Sequence, residues 1–368
     1  MKRPSYIILF ISLFLWGCQG DDNSPKDEFN RAEMLQNIGD NIMQPKYNAF
    51  KTASTSLMDK TTAFVNNPTE ETLSNAQLAW TDAMESWSAV EVFSTGPVEQ
   101  MMIKEAIYSW PVKTAAVEEN ITNAPNEINA EYINSLPAVD INTGLALSQG
   151  LAVVEYLLFG KDLSTTEVLA SFSDEQRLAY LQTLTEVLAG HATSITEALP
   201  EFLPLFVSAD GKDVGSSTNM IANDLLIMIE TMKNEKVGIP LGKKSLGQPL
   251  PLNVEALFSR HSLPLLMISL ESTQELFIGK EGLGYDDYLN EVDARINNTP
   301  LSEVILAQFQ ACKTAAEAIN DPLEVAITSE KENVENLYNE LKKLVTLTKS
   351  DMMSQLGLSV TFSDNDGD

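Results

Sequence analysis

The stretch Gly150 to Phe159 and the glycine after it, "GLAVVEYLLFG", set one carboxylate, Glu155, in an otherwise apolar run of helical period. On a helix Ser148, Ala152, Glu155 and Phe159 share one face, while Leu147, Leu151, Val154 and Leu158 line the apolar face beside it. A carboxylate in that setting must be protonated, hydrogen-bonded or paired, because an isolated buried charge is too costly to keep. Glu155 is therefore either a structural hydrogen-bonding group, or the partner of a cation such as Arg260 or Lys236, or an acid facing a ligand at a helix interface.

Other reactive groups are few. The two histidines, His191 and His261, are seventy residues apart, and neither sits in a zinc-ligand motif such as H-E-x-x-H. "GIPLGKK" departs from a phosphate-binding loop in glycine spacing and in the residue after Lys243. The terminal "TFSDNDGD" alternates Asp364, Asp366 and Asp368, but the chain stops before the remaining ligands of a calcium loop. A signal peptide ending before Cys18 would leave Cys312 as the only other cysteine, so neither an intramolecular disulfide nor a cysteine-based metal site is available.

The elements that must position Glu155 read as helices throughout. "ETLSNAQLAWTDAMESWSAVEVF" puts Trp80, Met84, Trp87 and Glu91 on one face, with a start at Pro68-Thr69 and a stop at Ser94-Thr95-Gly96-Pro97. Helical patterns recur at about 28–66, 99–121, 128–135, 141–159, 174–198, 218–236, 252–278, 285–293, 301–320 and 323–355, with no train of alternating strands. The fold class is all-α, with long antiparallel helices in bundles. The glycine-containing break after Phe159 marks a boundary between an N-terminal bundle, 31–165, and a C-terminal bundle with an acidic tail, 166–368. Leu157-Leu-Phe-Gly-Lys-Asp162 is echoed by Leu276-Phe-Ile-Gly-Lys-Glu281, each closing an apolar helix.

The formal net charge of −28 argues against nucleic acid or an anionic lipid surface as partner of the folded body. Lys2 and Arg3 precede an apolar run, Tyr6 to Trp16, too short for a stable span and ending in Leu15-Trp16-Gly17-Cys18. This resembles a bacterial lipobox, which implies a signal peptide over 1–17, lipidation of Cys18 and an acidic tether over 18–30. The acyl chains would anchor the protein in a membrane, at about 0.8 kcal/mol per buried methylene. Gln19 and Gly20-Asp21-Asp22 resemble the lipoprotein export signals of Bacteroidetes, implying an outer-membrane location on its periplasmic or its surface face. Removal of 1–17 takes away two basic residues and no acidic one, moving the net charge from −28 to −30.

Taken in order, several segments together resemble the imelysin-like proteins, the M75 peptidase group. They are "WTDAMESWSAVEVFSTGPV" (80–98), "AIYSWPV" (106–112), "GLAVVEYLLFG", "ANDLLIMIETMKNEKVGIPLGK" (222–243), "VEALFSRHSL" (254–263) and the ending "LGLSVTFSDNDGD". The resemblance covers almost all of the chain after the tether. It implies two packed four-helix-bundle-like domains with a functional site at their interface, marked by Gly-x-His-x-x-Glu. Gly150 and Glu155 match that hallmark, but Ala152 stands at the histidine, and a methyl group neither binds metal nor moves a proton.

The resemblance carries Trp87, Glu91, Trp110, Asn223, Lys236 and Ser259 to the same site as Glu155. It implies a membrane-anchored binding component linked to iron or haem uptake, with uptake proteins as partners. Glu155 would be the ligand of iron or another divalent or trivalent cation, since carboxylate oxygen suits hard cations. A haem role would call on His261 as axial ligand. Two other readings stand beside this one: a metallopeptidase with an atypical site, and a scaffold with no small ligand.

Overall fold

The computed structural model of the protein describes residues 28–362. The expected signal peptide, Cys18, the expected tether up to residue 27 and Asp364, Asp366 and Asp368 lie outside the described residues. The fold is all-α. Among the described residues, strand structure is confined to one ribbon, Arg295–Ile296 antiparallel to Thr299–Pro300, and to isolated bridges from Ala146 to Val112 and Val139.

The first bundle is built from the helices Gln44–Asn66, Glu70–Val90 and Glu175–Ser208, with Leu151–Phe159 laid against Glu70–Val90. Thr69 caps Glu70–Val90 by accepting from the Thr72 N–H, and Thr72 reciprocates, so two otherwise orphaned donors are satisfied. The stripe Trp80, Met84 and Trp87 is buried as the spacing predicts. The second bundle comprises Ser217–Thr231, Ser262–Ile278, Leu301–Glu317 and Lys331–Thr346. Ser262–Ile278 also packs on Glu70–Val90, and one continuous apolar core runs through both bundles. The echoed glycines close corresponding helices in the two bundles, Gly160 with φ 64° and Gly279 with φ 66°.

Glu175–Ser208 lies beyond the 165/166 boundary in sequence, yet it packs along Gln44–Asn66. The spatial division between bundles therefore falls in the connection 209–216. The helix also outruns its predicted end at residue 198, passing through Pro200 and Pro204. Both prolines are on the exposed side of the helix, away from the packed face. Pro45 is accommodated differently, by the π-helical turn Ile38–Met43 just before it, which leaves the helix unbroken.

Three predicted helices are shorter than their patterns, and all three bear on Glu155. The 141–159 pattern becomes helical only at Leu151, because Gly150 takes φ 89°. A Cβ there would come 2.7 Å from the Ile107 carbonyl oxygen, so the glycine allows two backbones to touch. The 99–121 pattern breaks into Pro97–Gln100, Lys104–Ile107 and Thr114–Thr122, leaving Tyr108 and Trp110 on an irregular segment. The 252–278 pattern starts at Ser262 and leaves 254–261 as a turn in which Ala256 (φ 47°) and Arg260 (φ 58°) are left-handed. Side chains with a Cβ pay for that conformation, and such strain concentrates where a loop is held for a purpose.

Candidate functional site

Glu155 is 1% exposed, in the middle of the Leu151–Phe159 helix. Its Oε1 accepts from the Ser259 backbone N–H at 2.7 Å and from the Ser259 hydroxyl at 2.8 Å. These donors come from the strained turn between Ala256 and Arg260. Burial pushes the Glu155 carboxyl up to about 7; hydrogen bonds from Ser259 and the Phe258 backbone oppose the shift, and the nearby Glu255 charge adds to it.

A chamber of about 130 Å³ opens beside Glu155, walled by Trp110, Ala152, Val254 and Phe258 among others. Lys161, Leu252, Leu257 and Phe258 line both this chamber and an outer cavity of about 520 Å³ that reaches Arg260 and Glu324. Leu252, one of the residues shared by the two linings, is largely exposed.

Lys236 organises the neighbouring cluster. It lies in the π-helical turn Met232–Gly238, a widened turn of the kind often found at functional sites, and is 1% exposed. Its Nζ donates to Glu255 Oε1 at 2.9 Å, Glu91 Oε2 at 3.0 Å and Ser269 Oγ at 3.4 Å, and stands 5.6 Å from the centre of the Trp110 ring. Despite its burial, the two carboxylates hold the ammonium above its usual range. Burial raises the Glu255 carboxyl, assisted by the Glu91 charge and opposed by Lys236. Tyr108 sits among Glu255, Glu155 and Glu91, and burial with their charges pushes its hydroxyl well above the usual phenol range. Trp110 stacks on Tyr108, ring centres 5.3 Å apart.

The structure thus brings Glu155, Ser259, Trp110, Lys236 and Glu91 to one interface between the bundles. Two residues matched to the same site lie elsewhere. Trp87 is a core residue tilted against Phe50 at 5.2 Å. Asn223 ties down the C-terminal segment, donating to the Ser359 carbonyl at 2.9 Å and accepting from the Thr361 N–H at 2.9 Å. His261 lines neither cavity, and its Nε2 is 2.8 Å from Glu85 Oε1.

The cation partners considered for Glu155 are taken by others. Lys236 serves Glu91 and Glu255, while Arg260 stands 3.4 Å from Asp162 and 3.5 Å from Glu324. Nor do the residues fit a resident catalytic metal. Ala152, one turn from Glu155, offers a methyl group, and among the described residues no group of three or more His, Cys, Asp or Glu stands where it could hold a metal ion. Glu155 brings a single carboxylate, one oxygen of which is already engaged by Ser259.

Glu255 and Tyr108 belong to the site without having been singled out in the sequence, although both lie inside matched segments. The signal for Glu255 was a lone acid after Val254 and before "ALF", the same pattern that marks Glu155. A further buried acid, Asp224, accepts from the Ser94 hydroxyl at 2.6 Å and from the Thr95 N–H and hydroxyl at 3.0 and 2.6 Å. It pins the end of the first-bundle segment to the helix Ser217–Thr231.

The comparisons with known proteins agree with this architecture. The chain matches an imelysin-like protein from Psychrobacter arcticum 273-4 with a TM-score of 0.72 and 18% identity, covering 90% of this chain and 97% of that one. It matches a protein described as an iron-regulated protein A precursor, from Parabacteroides distasonis ATCC 8503, with a TM-score of 0.72 and 18% identity, covering 89% and 95%. At that identity the likeness concerns the fold. No curated protein matches the sequence. The Peptidase_M75 family, Imelysin, matches residues 43–349, and with most of its length inside that match the chain belongs to the imelysin family.

Proposed function

We propose that this imelysin-family protein is a non-catalytic binding component of the cell envelope, linked to iron uptake, with its ligand site at Glu155. The observation that carries the reading is the pairing of Ala152 with Glu155 at the wall of an open chamber: a buried acid is kept, and the side chain that would complete a metal-binding pair is a methyl group. An iron cargo would therefore arrive on a chelator supplying most of its own oxygen donors. Haem is less well served, since His261 lines neither cavity and is engaged by Glu85. The shared fold of the iron-regulated protein A precursor from Parabacteroides distasonis supports the iron link. Anchoring through lipidated Cys18 in the outer membrane belongs to the same proposal and rests on the lipobox-like sequence.

The test is calorimetric titration of the full chain, in detergent, with ferric citrate, haemin, zinc and calcium, beside Glu155→Gln. A saturable one-site signal for the ferric chelate, lost in the variant, is the expected result. Metal-dependent cleavage of casein that disappears in Glu155→Gln would instead make the protein a peptidase. No binding of any of these would leave the scaffold reading.

A further inference from the structure

We infer that the inner chamber takes the terminal primary ammonium of an amine ligand, whose apolar stem runs past Leu252, Leu257 and Phe258 into the outer cavity. The inference rests on the cleft being the ligand site and adds the chemical class of what enters it.

The charge balance at the interface leads to this class. Three carboxylates, Glu91, Glu155 and Glu255, are each at most 9% exposed, and one ammonium, Lys236, is buried with them. Lys236 is bonded to Glu91 and Glu255, and among the described residues no cation pairs with Glu155. The other charged or titratable groups nearby do not change the balance. Tyr108 stays neutral, and Arg260 is shared between Asp162 and Glu324 at the outer cavity. Lys161 is exposed and lines the chamber, but no hydrogen bond or ion pair joins it to Glu155. A buried acid that borders an open space with no cation of the chain bonded to it is held ionised by a cationic group placed there, which favours such a group at that point of the guest over a neutral or anionic one.

Size and wall chemistry narrow the cationic group. At about 30 Å³ per water, the chamber's ~130 Å³ holds the equivalent of about four water molecules. A hydrated metal ion would have to exchange its water oxygens for a wall whose side-chain oxygens are those of Glu155 and Thr114, too few for a full shell. An ammonium on a carbon stem needs no complete oxygen shell. It can donate to Glu155, lie near the Trp110 indole and bury its methylenes on the apolar wall. The outer cavity is four times larger by volume, and it gives the remainder of the ligand room beside Arg260 and Glu324.

The experiment titrates the full chain, in detergent at neutral pH and in 0.5 M sodium chloride, with n-pentylamine, pentan-1-ol and pentanoate. Ferric citrate is run in parallel. The expected result is one saturable site for pentylamine, with pentanol about tenfold to a hundredfold weaker, the worth of one charge-assisted hydrogen bond, and no pentanoate binding. Glu155→Gln, checked for folding by thermal melting, should bring pentylamine down to the pentanol level. Ala152→Leu, which leaves Glu155 in place and fills the chamber, should abolish pentylamine binding. Equal affinity for amine and alcohol would overturn the inference, as would amine binding that survives Glu155→Gln or is lost entirely to salt. If ferric citrate binds and pentylamine does not, this inference fails while the cleft remains the ligand site. If neither binds, both fail.

Discussion

Lys236 Nζ lies 3.0 Å from Glu91 Oε2, with both side chains buried and their positions 145 residues apart in the chain. The contact joins the C-terminal end of the Glu70–Val90 helix in one bundle to the π-helical turn of the other, and Glu255 completes it from a third segment. Removing the ammonium would leave two carboxylates uncompensated. Lys236→Met should destabilise the fold by about 3–5 kcal/mol in urea denaturation. The triple variant Glu91→Gln, Lys236→Met, Glu255→Gln, which removes all three charges together, should recover more than half of that loss. A single variant as stable as the parent would show that the cluster contributes nothing to the interface.

Stability should fall as pH rises through neutrality. Glu155, held at about 7, and Glu255, raised in the same direction, both have folded pKa values above the ordinary 4.5. The folded state then binds protons that the unfolded state has released, so their contribution is fully present below the unfolded value and is lost as pH passes the folded one. Asp224, at about 6, acts in the same sense at lower pH. His191, held down by burial, pulls the other way only as pH falls below its ordinary 6.5. The melting temperature should therefore be higher at pH 6.5 than at pH 8.5, with a shallower slope in Glu155→Gln. A melting temperature that rises over this interval would contradict the assignment.

Gly150→Ala should cost about 2 kcal/mol or more, because it combines a left-handed backbone with a Cβ 2.7 Å from the Ile107 oxygen. The same collision would displace the start of the Leu151–Phe159 helix. Pentylamine binding should then weaken along with the melting temperature, whereas a purely local effect would leave binding intact.

Ala152→His would place an imidazole three residues before Glu155, facing the chamber. Zinc affinity measured by titration should rise about tenfold, the worth of ~1.4 kcal/mol from one added ligand. Unchanged zinc binding would mean that the engagement of Glu155 by Ser259 prevents it from acting as a metal ligand even beside a histidine.

Much of the local structure was legible in the residues themselves. The 3.6-residue spacing of Trp80, Met84 and Trp87 gave the buried face of their helix, Thr69 gave its start, and the apolar neighbours of Glu155 announced a buried acid. Patterns failed where the backbone is set by contacts distant in sequence: Gly150 against Ile107, and the left-handed Ala256 and Arg260 that turn a helical-looking segment into a loop. The matched segments carried Trp87 and Asn223 to the site by association, and packing assigned them to the core and to the C-terminal tail.

The sequence by itself determined the helices, their buried stripes and the need of Glu155 for a partner, since each depends on residues within a turn or two. Only the tertiary structure decided that the partner is Ser259, 104 residues on, that Lys236 is committed to Glu91 and Glu255, and that a chamber remains open beside the acid. Helical periodicity fixes which face of a segment turns inward. Which other segment it meets there, and whether the two fill the space between them, is set by side-chain volumes and charges drawn from the whole chain.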